Sequence, residues 1–312
     1  MTSRCRAATT KWLWTALAAA SCLAAGGSTV APEPPPTRLI MLGTGNPAAN
    51  PDRFGPSAVV LVGDRPYLVD CGVGVVRRWA AAIRDNHLPL QVWDLRIAFV
   101  THLHSDHTLG YPDLIFTPWT LQGDSRRGPQ PPPAPLVVYG PNGLRAMTRH
   151  LLAAYADDVR IRTGAGGEQA GKHGPVVDVH EIDAGVVFHD DRVTVTAFRV
   201  PHGTWPQAFG FRFDTPDKTI VFSGDSAFSP AIARQCRGCD ILVHEGGITG
   251  DTSAYYRAFH TTAEDLATIA RQAHPKLLIL YHQRDGNEAG LRVIRSRYGG
   301  AVVVAHDLQV FE

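Results

Sequence analysis

The sequence predicts an α/β fold in which two β-sheets are covered by helices on their outer faces, within one domain of roughly 270 residues. Short apolar strands alternate with helical stretches from Arg38 onward, and strands dominate from Val176 to Phe222. Alternation alone would equally suit a doubly wound sheet. A cluster of histidines directly after one predicted strand, at residues 102–107, favours the two-sheet fold.

The individual elements follow from local patterns. Apolar runs bounded by Gly, Pro or Asp predict strands, and apolar residues spaced three and four apart predict helices. The predicted strands are 39–42, 58–62, 67–69, 95–100, 136–139, 241–243, 277–280 and 301–304, and the predicted helices are 75–83, 142–155, one near 231, 263–273 and 288–297. Residues 63–66 predict a hairpin turn, and residues 121–135 predict a Pro-rich surface loop.

The composition is that of a globular protein. Hydrophobic residues make up 44% of the 312 residues and charged residues 19%, which argues against a disordered chain and against a polytopic membrane protein. The formal net charge is +1, and removing the positive charges of Arg4, Arg6 and Lys11 leaves −2. A slightly acidic chain has no global field that attracts polyanions, so its charge argues against nucleic acid as a partner.

The first 25 residues have the parts of a secretory signal peptide: a basic start, an apolar run from Trp12 to Ala25, and small residues. The apolar run is shorter than the about 20 residues that a membrane-spanning helix needs, which favours cleavage. We therefore expect an exported protein, periplasmic or secreted. Cys22 follows Ala-Ala-Ser, as in bacterial lipoprotein signals, which makes it a candidate for lipidation and the one route to a membrane contact. A small residue in an apolar segment is the simpler alternative for Cys22.

A Pro-rich linker over residues 26–37 is expected before a hydrolase domain over residues 38–312. Export would place the remaining cysteines in an oxidising compartment. Cys236 and Cys239 form a lone CxxC, for which a local disulfide is favoured over metal binding and over two unpaired thiols. Cys71 is expected to be a small buried residue.

Residues 102–107 read His-Leu-His-Ser-Asp-His. Residues two apart point the same way beside a strand, so His102 and His104 are placed to bind one metal ion while Leu103 faces the core. Asp106 and His107 then reach a second ion as the chain turns. Imidazole and carboxylate groups are zinc ligands, and crowding four such groups is costly unless a cation lies between them. A lone histidine after a strand would carry no such prediction.

This cluster resembles the signature of the metallo-β-lactamase superfamily. Further motifs extend the resemblance over about residues 38–310, namely Gly43-Thr-Gly-Asn-Pro47, Val200-Pro-His202-Gly, Phe222-Ser-Gly-Asp225-Ser, Leu242-Val-His244-Glu245, His260-Thr-Thr-Ala and Leu280-Tyr-His282. The last three are similar to motifs of the ribonuclease Z-like branch, which also contains arylsulfatases and phosphodiesterases. The resemblance implies a four-layer αββα sandwich with two metal ions at one edge between its sheets.

The resemblance also implies how the ligands are shared between two zinc ions. One ion would be held by His102, His104 and His202, the other by Asp106, His107 and His282, with Asp225 bridging them. His202 as a loop residue, Asp225 as a turn residue and His282 as a surface histidine are the simpler alternatives. The same ligands accept manganese or iron.

Two divalent ions would supply a hydroxide nucleophile, because coordination lowers the pKa of water from about 15.7 toward about 7. Asp106 would bind a metal and orient that nucleophile. By the resemblance, His260 would protonate the leaving group and Glu245 would fix its tautomer through a hydrogen bond. The alternative for Glu245 is an exposed acid at a strand end. The alternative for His260 is a residue at the start of a helix.

The favoured function is an exported two-zinc hydrolase of a small ester, either a phosphodiester or an aryl sulfate. Ribonucleases Z of bacteria carry a long arm for tRNA between the third histidine and the bridging aspartate, whereas His202 and Asp225 lie only 23 positions apart. The alternatives are tRNA 3′-processing by a ribonuclease Z-type enzyme, a lactonase, a β-lactamase and a zinc-binding module without turnover. Asp225 counts against the β-lactamase. Trp205 and Phe209 are candidates for substrate contact. No pattern indicates an oligomeric state.

Overall fold

Two mixed sheets of seven strands each form the centre of the computed structural model, which describes residues 36–123, 134–169, 172–247, 253–282 and 286–312. The strands of the first sheet are β1 (Thr37–Gly43), β2 (Ser57–Val62), β3 (Arg65–Val69), β4 (Ile97–Phe99), β5 (Leu136–Gly140), β6 (Val177–Glu181) and β14 (Gln309–Phe311). The strands of the second sheet are β7 (Gly185–His189), β8 (Thr194–Arg199), β9 (Phe209–Asp214), β10 (Thr219–Phe222), β11 (Ile241–Glu245), β12 (Leu277–Tyr281) and β13 (Val302–Val304). The spatial order is β14-β1-β2-β3-β4-β5-β6 in the first sheet and β13-β12-β11-β10-β9-β8-β7 in the second.

Helices cover the outer face of each sheet. Those of the first half are α1 (Val75–Asp85), α2 (Ser105–Thr108), α3 (Tyr111–Gly123), α4 (Leu144–Ala154) and α5 (Ala156–Thr163), with a 3₁₀ turn at Val92–Asp94. Those of the second half are α6 (Pro230–Cys236), α7 (Ala254–Phe259), α8 (Ala263–Ala273) and α9 (Glu288–Arg297). One core joins α1, α3 and α4 to the first sheet, another joins α6, α8 and α9 to the second, and a third lies between the sheets. The predicted αββα sandwich is confirmed.

The alternation of side chains along each strand divides the residues among these cores. In β9, Phe209, Phe211 and Phe213 are two apart, fully buried, and lie in the core between the sheets. Burying each of these side chains is worth about 2–3 kcal/mol. In β1, Leu39 lies in the same core whereas Ile40 packs towards the helices, because this strand is covered on both faces.

The last strand closes the first sheet against the first strand. β14 pairs antiparallel with β1, with Leu39 opposite Phe311. Just before β14, the Asp307 carboxylate accepts hydrogen bonds from the backbone N–H groups of Thr44 and Phe54, at 2.9 and 2.8 Å. The end of the chain therefore fixes both the sheet edge and the loop that follows β1.

Most predicted elements are present, with shifted ends. β1 begins at Thr37, inside the predicted linker, and β4 is three residues long where six were predicted. α3 runs to Gly123, so the predicted loop over 121–135 begins later, and most of that loop lies outside the described residues. The patterns did not predict α5, α7 or β14.

The N-terminal predictions fall outside the described residues. The signal peptide at 1–25, Cys22 and all but the last two residues of the linker at 26–37 belong to this part of the chain. Within the described ranges no helix is long and apolar enough to cross a membrane. Cys236 and Cys239 form a disulfide, and Cys71 is a buried free thiol, both as expected.

Candidate metal centre

The carboxyl ends of five strands meet at one edge of the sandwich. β3 and β4 are parallel, β10 and β12 both run parallel to β11, and β8 runs the same way because it and β10 are both antiparallel to β9. Ligands of open α/β sheets bind at this end of parallel strands. The polar residues that follow β3, β4, β8, β10 and β12 are Asp70, His102, His202, Asp225 and His282.

Three histidines form the first cluster. The Nε2 atoms of His102 and His202 lie 2.9 and 3.1 Å from the Nδ1 atom of His104. Leu103 packs on the core of the first sheet, as the alternation predicted. The structure therefore brings together the three predicted ligands of the first ion, with one nitrogen of each turned to a common point.

The second cluster combines one carboxylate with two histidines. Asp106 Oδ2 lies 3.1 Å from His282 Nε2 and 3.6 Å from His107 Nε2. His282 directly follows β12 and has a φ of 56°, a left-handed conformation that non-glycine residues rarely adopt and that is frequent at functional sites. These are the three predicted ligands of the second ion.

Asp225 lies between the two clusters. Its Oδ1 is 3.5 Å from His107 Nε2 and its Oδ2 is 3.4 Å from His282 Nε2, and it also groups with His102. Gly224, with a φ of 61°, turns the backbone so that Asp225 lies between the clusters. A Cβ at residue 224 would lie only 2.6 Å from the Phe209 carbonyl oxygen. This position agrees with the bridging role that the resemblance implies.

Two buried polar atoms indicate that cations fit this site. Among the described residues, neither His107 Nε2 nor Asp225 Oδ1 has a hydrogen-bond partner. Leaving a polar atom buried and unpaired costs about 1–3 kcal/mol, so native proteins rarely do it without a reason. The two atoms lie 3.5 Å from each other, and a metal ion bound by both would satisfy them. The chemistry of the donors therefore fits divalent metal ions.

The histidines of the first cluster are in the protonation state that a metal requires. Burial lowers the pKa of His102 well below its usual range, and the neighbouring His107 lowers it further. Burial also lowers the pKa of His202 to about 4. Metal ligation needs a neutral imidazole, so these rings are ready to bind at neutral pH.

Asp70 is a supporting residue that the sequence did not single out. Its carboxylate accepts hydrogen bonds from His107 Nδ1 at 2.8 Å and from the Thr101 backbone N–H at 2.8 Å. The Thr101 hydroxyl also bonds to Asp70 and lies 3.0 Å from His102 Nδ1. One buried acid thus orients a ligand in each cluster. An acid directly after a strand, as in Val69-Asp70, was the available signal.

We expect Asp70→Asn to weaken zinc binding about 10- to 100-fold, because carboxylates that orient ligating histidines are typically worth that much. The amide is neutral and binds the Nδ1 proton less strongly. Zinc affinity measured by competition with a chromogenic chelator tests this. Asp217→Asn, in the β9–β10 turn, is the matched control and should keep the wild-type affinity. Equal losses in both variants would contradict the role of Asp70.

His260 and Glu245 form a hydrogen-bonded pair beside the clusters. His260 Nδ1 lies 2.6 Å from Glu245 Oε2, and the Ser226 backbone N–H donates to Glu245 Oε1 at 2.7 Å. Glu245 is buried, and burial raises its pKa. Both carboxylate oxygens of Glu245 are engaged in these hydrogen bonds. We therefore assign Glu245 to orienting His260 and not to binding a metal ion, although it also lies near Asp225 and His282. The predicted contact between Glu245 and His260 is present.

Of the two aromatic candidates, one lies at the site and the other lies in the core between the sheets. Trp205 is half-buried, and its Nε1 lies 2.7 Å from His104 Nε2. Phe209 is fully buried between the sheets, so the expected substrate contact is wrong for this residue. Phe209 is the first inward-facing residue of β9, where packing against the other sheet decides its orientation.

His244 is a buried histidine outside both clusters. Its Nδ1 donates to the Glu245 carbonyl oxygen at 2.8 Å, and its Nε2 has no hydrogen-bond partner among the described residues. Burial lowers its pKa from 6.5 to about 4. The folded state therefore keeps His244 neutral over a pH range in which the unfolded chain binds a proton there.

The stabilisation from neutral His244 is present above pH 6.5 and is lost as the pH falls from 6.5 toward 4. Between about pH 7 and pH 5, we expect the metal-free wild type to lose about 2 kcal/mol more unfolding free energy than His244→Leu does. Urea unfolding of both proteins measures the difference, and the metal ligands titrate alike in both. Parallel losses would show that His244 does not control the acid sensitivity.

Comparisons with known proteins agree with this geometry. A family model described as "Beta-lactamase superfamily domain" matches residues 65–283. Ribonuclease Z of Mycobacterium bovis is 28% identical over 286 residues, covering 88% of this chain and 97% of that protein. Ribonuclease Z of Mycobacterium sp. (strain KMS) is 32% identical over 253 residues, covering 78% of this chain and 83% of that protein.

Solved structures show the same fold. The metallo-beta-lactamase fold protein YhfI of Bacillus subtilis has a TM-score of 0.69 at 16% identity, over 88% of this chain and 99% of that one. The short form of human tRNase Z has a TM-score of 0.65 at 24% identity, over 88% of this chain and 98% of that one. The chain therefore belongs to the metallo-β-lactamase superfamily, in which it is similar in sequence to proteins named ribonuclease Z.

Proposed function

We propose that the protein is a two-zinc phosphodiesterase. The observation that carries this proposal is the His260–Glu245 pair, which would add a proton donor beside the seven side chains that we predict as metal ligands. A phosphodiester needs charge neutralisation at phosphorus and a proton for its leaving oxygen. The relatives named ribonuclease Z act on the same type of bond.

The roles of the residues follow from their positions. Bound divalent ions would lower the pKa of water and neutralise charge on the phosphate. His102, His104 and His202 would hold one ion, and Asp106, His107 and His282 the other, with Asp225 between them. Asp106 orients the attacking oxygen. His260 gives a proton from Nε2 to the leaving oxygen, because Glu245 holds the other ring nitrogen.

RNA is the first candidate substrate, on the strength of the relatives' names. A small phosphodiester is the second, and one structural observation favours it. The segment between His202 and Asp225 consists of a short loop and the β9–β10 hairpin, with no protruding arm for tRNA. The aryl sulfate part of our expectation gains no support from these relatives.

A substrate panel with and without chelator tests the proposal. We expect the zinc-loaded protein to hydrolyse bis(p-nitrophenyl) phosphate and to lose this activity in EDTA, with recovery on adding zinc, manganese or iron(II). A precursor tRNA with a 3′ extension, p-nitrophenyl sulfate, a lactone and a chromogenic cephalosporin complete the panel. Activity that is insensitive to EDTA would rule out the metal mechanism. Zinc binding without turnover on any substrate would instead favour a zinc-binding module.

Export remains a separate proposal that rests on residues 1–25. It bears on the substrate because tRNA maturation takes place in the cytosol. An alkaline phosphatase reporter joined after residue 40 should be active outside the cytoplasm, and a Cys22→Ala variant of the same fusion should show whether a lipid anchor is attached. A reporter that stays inactive in the cytoplasm would contradict export and remove this second objection to tRNA.

A further inference from the structure

Helix α7 carries aromatic side chains directly beside the candidate metal centre. Tyr255 is 68% exposed, and its ring centroid lies 4.9 Å from that of Phe259. The Phe259 ring in turn lies 5.4 Å from the ring of His202. We propose that Tyr255 and Phe259, which we call the aromatic platform, bind a flat aromatic group of the substrate next to the scissile phosphate.

The platform is fixed to the third histidine of the first cluster. His202 Nδ1 donates to the Phe259 carbonyl oxygen at 2.7 Å, and the Gly203 backbone N–H donates to the Ala258 carbonyl oxygen at 2.7 Å. Gly203 has a φ of 56°, and a Cβ there would lie 2.0 Å from the Phe259 ring. Glycine at this position thus lets the ring pack directly on the backbone beside a metal ligand.

The platform lies on the side of the leaving group. His260 is the residue that directly follows α7, and its ring centroid is 5.5 Å from that of His202 and 6.3 Å from that of His282. Since the proposed function makes His260 the proton donor to the leaving oxygen, the platform rests on that proposed function for its orientation. The group bound by the platform is therefore attached to the departing oxygen.

A flat aromatic group is the ligand that this surface suits. Tyr255 exposes most of its ring, and no core position explains its placement in a helix that has no buried residue. Stacking on an aromatic side chain tolerates any flat ring, and it typically changes affinity by about tenfold or more for each base. A nucleobase and a simple aryl group share this chemistry, so both are probes of the platform.

Calorimetric binding to the zinc-loaded full chain tests the proposal with three phosphate monoesters: adenosine 5′-monophosphate, phenyl phosphate and ribose 5-phosphate. We expect an aromatic monoester to bind the wild type about tenfold more tightly than ribose 5-phosphate does. Tyr255→Ala should remove this preference and leave ribose 5-phosphate binding unchanged, and Tyr255→Trp should keep it. A preference for the adenosine ester alone identifies a nucleobase, and one for the phenyl ester identifies an aryl group.

Tyr155→Ala is the matched control, because Tyr155 is 43% exposed and its ring packs on Phe116 of α3. This variant should keep the preference. Equal affinity of all three monoesters for the wild type, no binding at millimolar concentration, or a loss in Tyr255→Ala that includes ribose 5-phosphate would overturn the platform. Phosphodiester turnover without a preference for aromatic monoesters would support the proposed function and contradict the platform. A preference for aromatic monoesters without turnover would support the platform and contradict the proposed function.

Discussion

Asp225→Asn is expected to abolish nearly all turnover, with a loss of about 10³-fold or more, and to reduce the metal content below two ions per chain. Asp225 lies 3.5 Å from His107 and 3.4 Å from His282, and it groups with His102 of the other cluster. His282 and His107 hold its pKa well below the usual range although burial opposes this. The amide has the same shape but lacks the negative charge that two bound cations would share.

Metal content by atomic emission and turnover of bis(p-nitrophenyl) phosphate measure the two effects separately. Asp217→Asn is again the control, because Asp217 accepts hydrogen bonds from Thr37 in the β9–β10 turn and lies on no predicted metal cluster. It should keep two ions and full activity. An Asp225→Asn protein with two tightly bound ions and wild-type turnover would rule out the bridging assignment.

His260→Ala should retain both metal ions and lower the turnover of esters with poor leaving groups by about 10²- to 10⁴-fold, the range that general acid catalysis typically supplies. An activated leaving group such as p-nitrophenolate needs little protonation, so its hydrolysis should fall much less. Glu245→Gln should show the same dependence on the leaving group with a smaller effect, since it removes only the residue that orients the ring.

A variant that combines His260→Ala with Glu245→Gln distinguishes a joint role of the two residues from independent roles. If Glu245 acts through His260, the combined variant should be little worse than His260→Ala alone, because residues that act as a unit are not additive. Metal content must stay at the wild-type level throughout. A similar loss for activated and unactivated esters would show that His260 is not the acid.

Most of the site could be predicted because its ligands are concentrated in short sequence motifs. His102, His104, Asp106 and His107 lie within six residues, and the residues that complete the site carry motifs of their own. All seven predicted ligands meet in the structure because parallel strands end at the same edge of the sandwich. The αββα layers were predictable through these same motifs, since the alternation of strands and helices alone would equally suit a doubly wound sheet.

What escaped prediction depends on contacts between distant parts of the chain. Asp70 is a single acid after a strand, and its role appears only when Thr101 and His107 are placed against it. The outward Trp205 and the inward Phe209 are both aromatic residues after the same histidine, and only the facing sheet distinguishes them. β14 is three residues long, too short for a pattern, and it forms because β1 offers it an edge.

The pairing of β14 with β1 limits the order in which the parts of the first sheet can fold. Because Phe311 pairs with Leu39 and Asp307 holds the loop at Thr44 and Phe54, the first sheet stays open at this edge until segments far apart along the chain have met. Closing so long a loop is slow as well as late. A chain that must be threaded through a translocation channel before it folds benefits from this delay, which makes the topology compatible with the export that we propose.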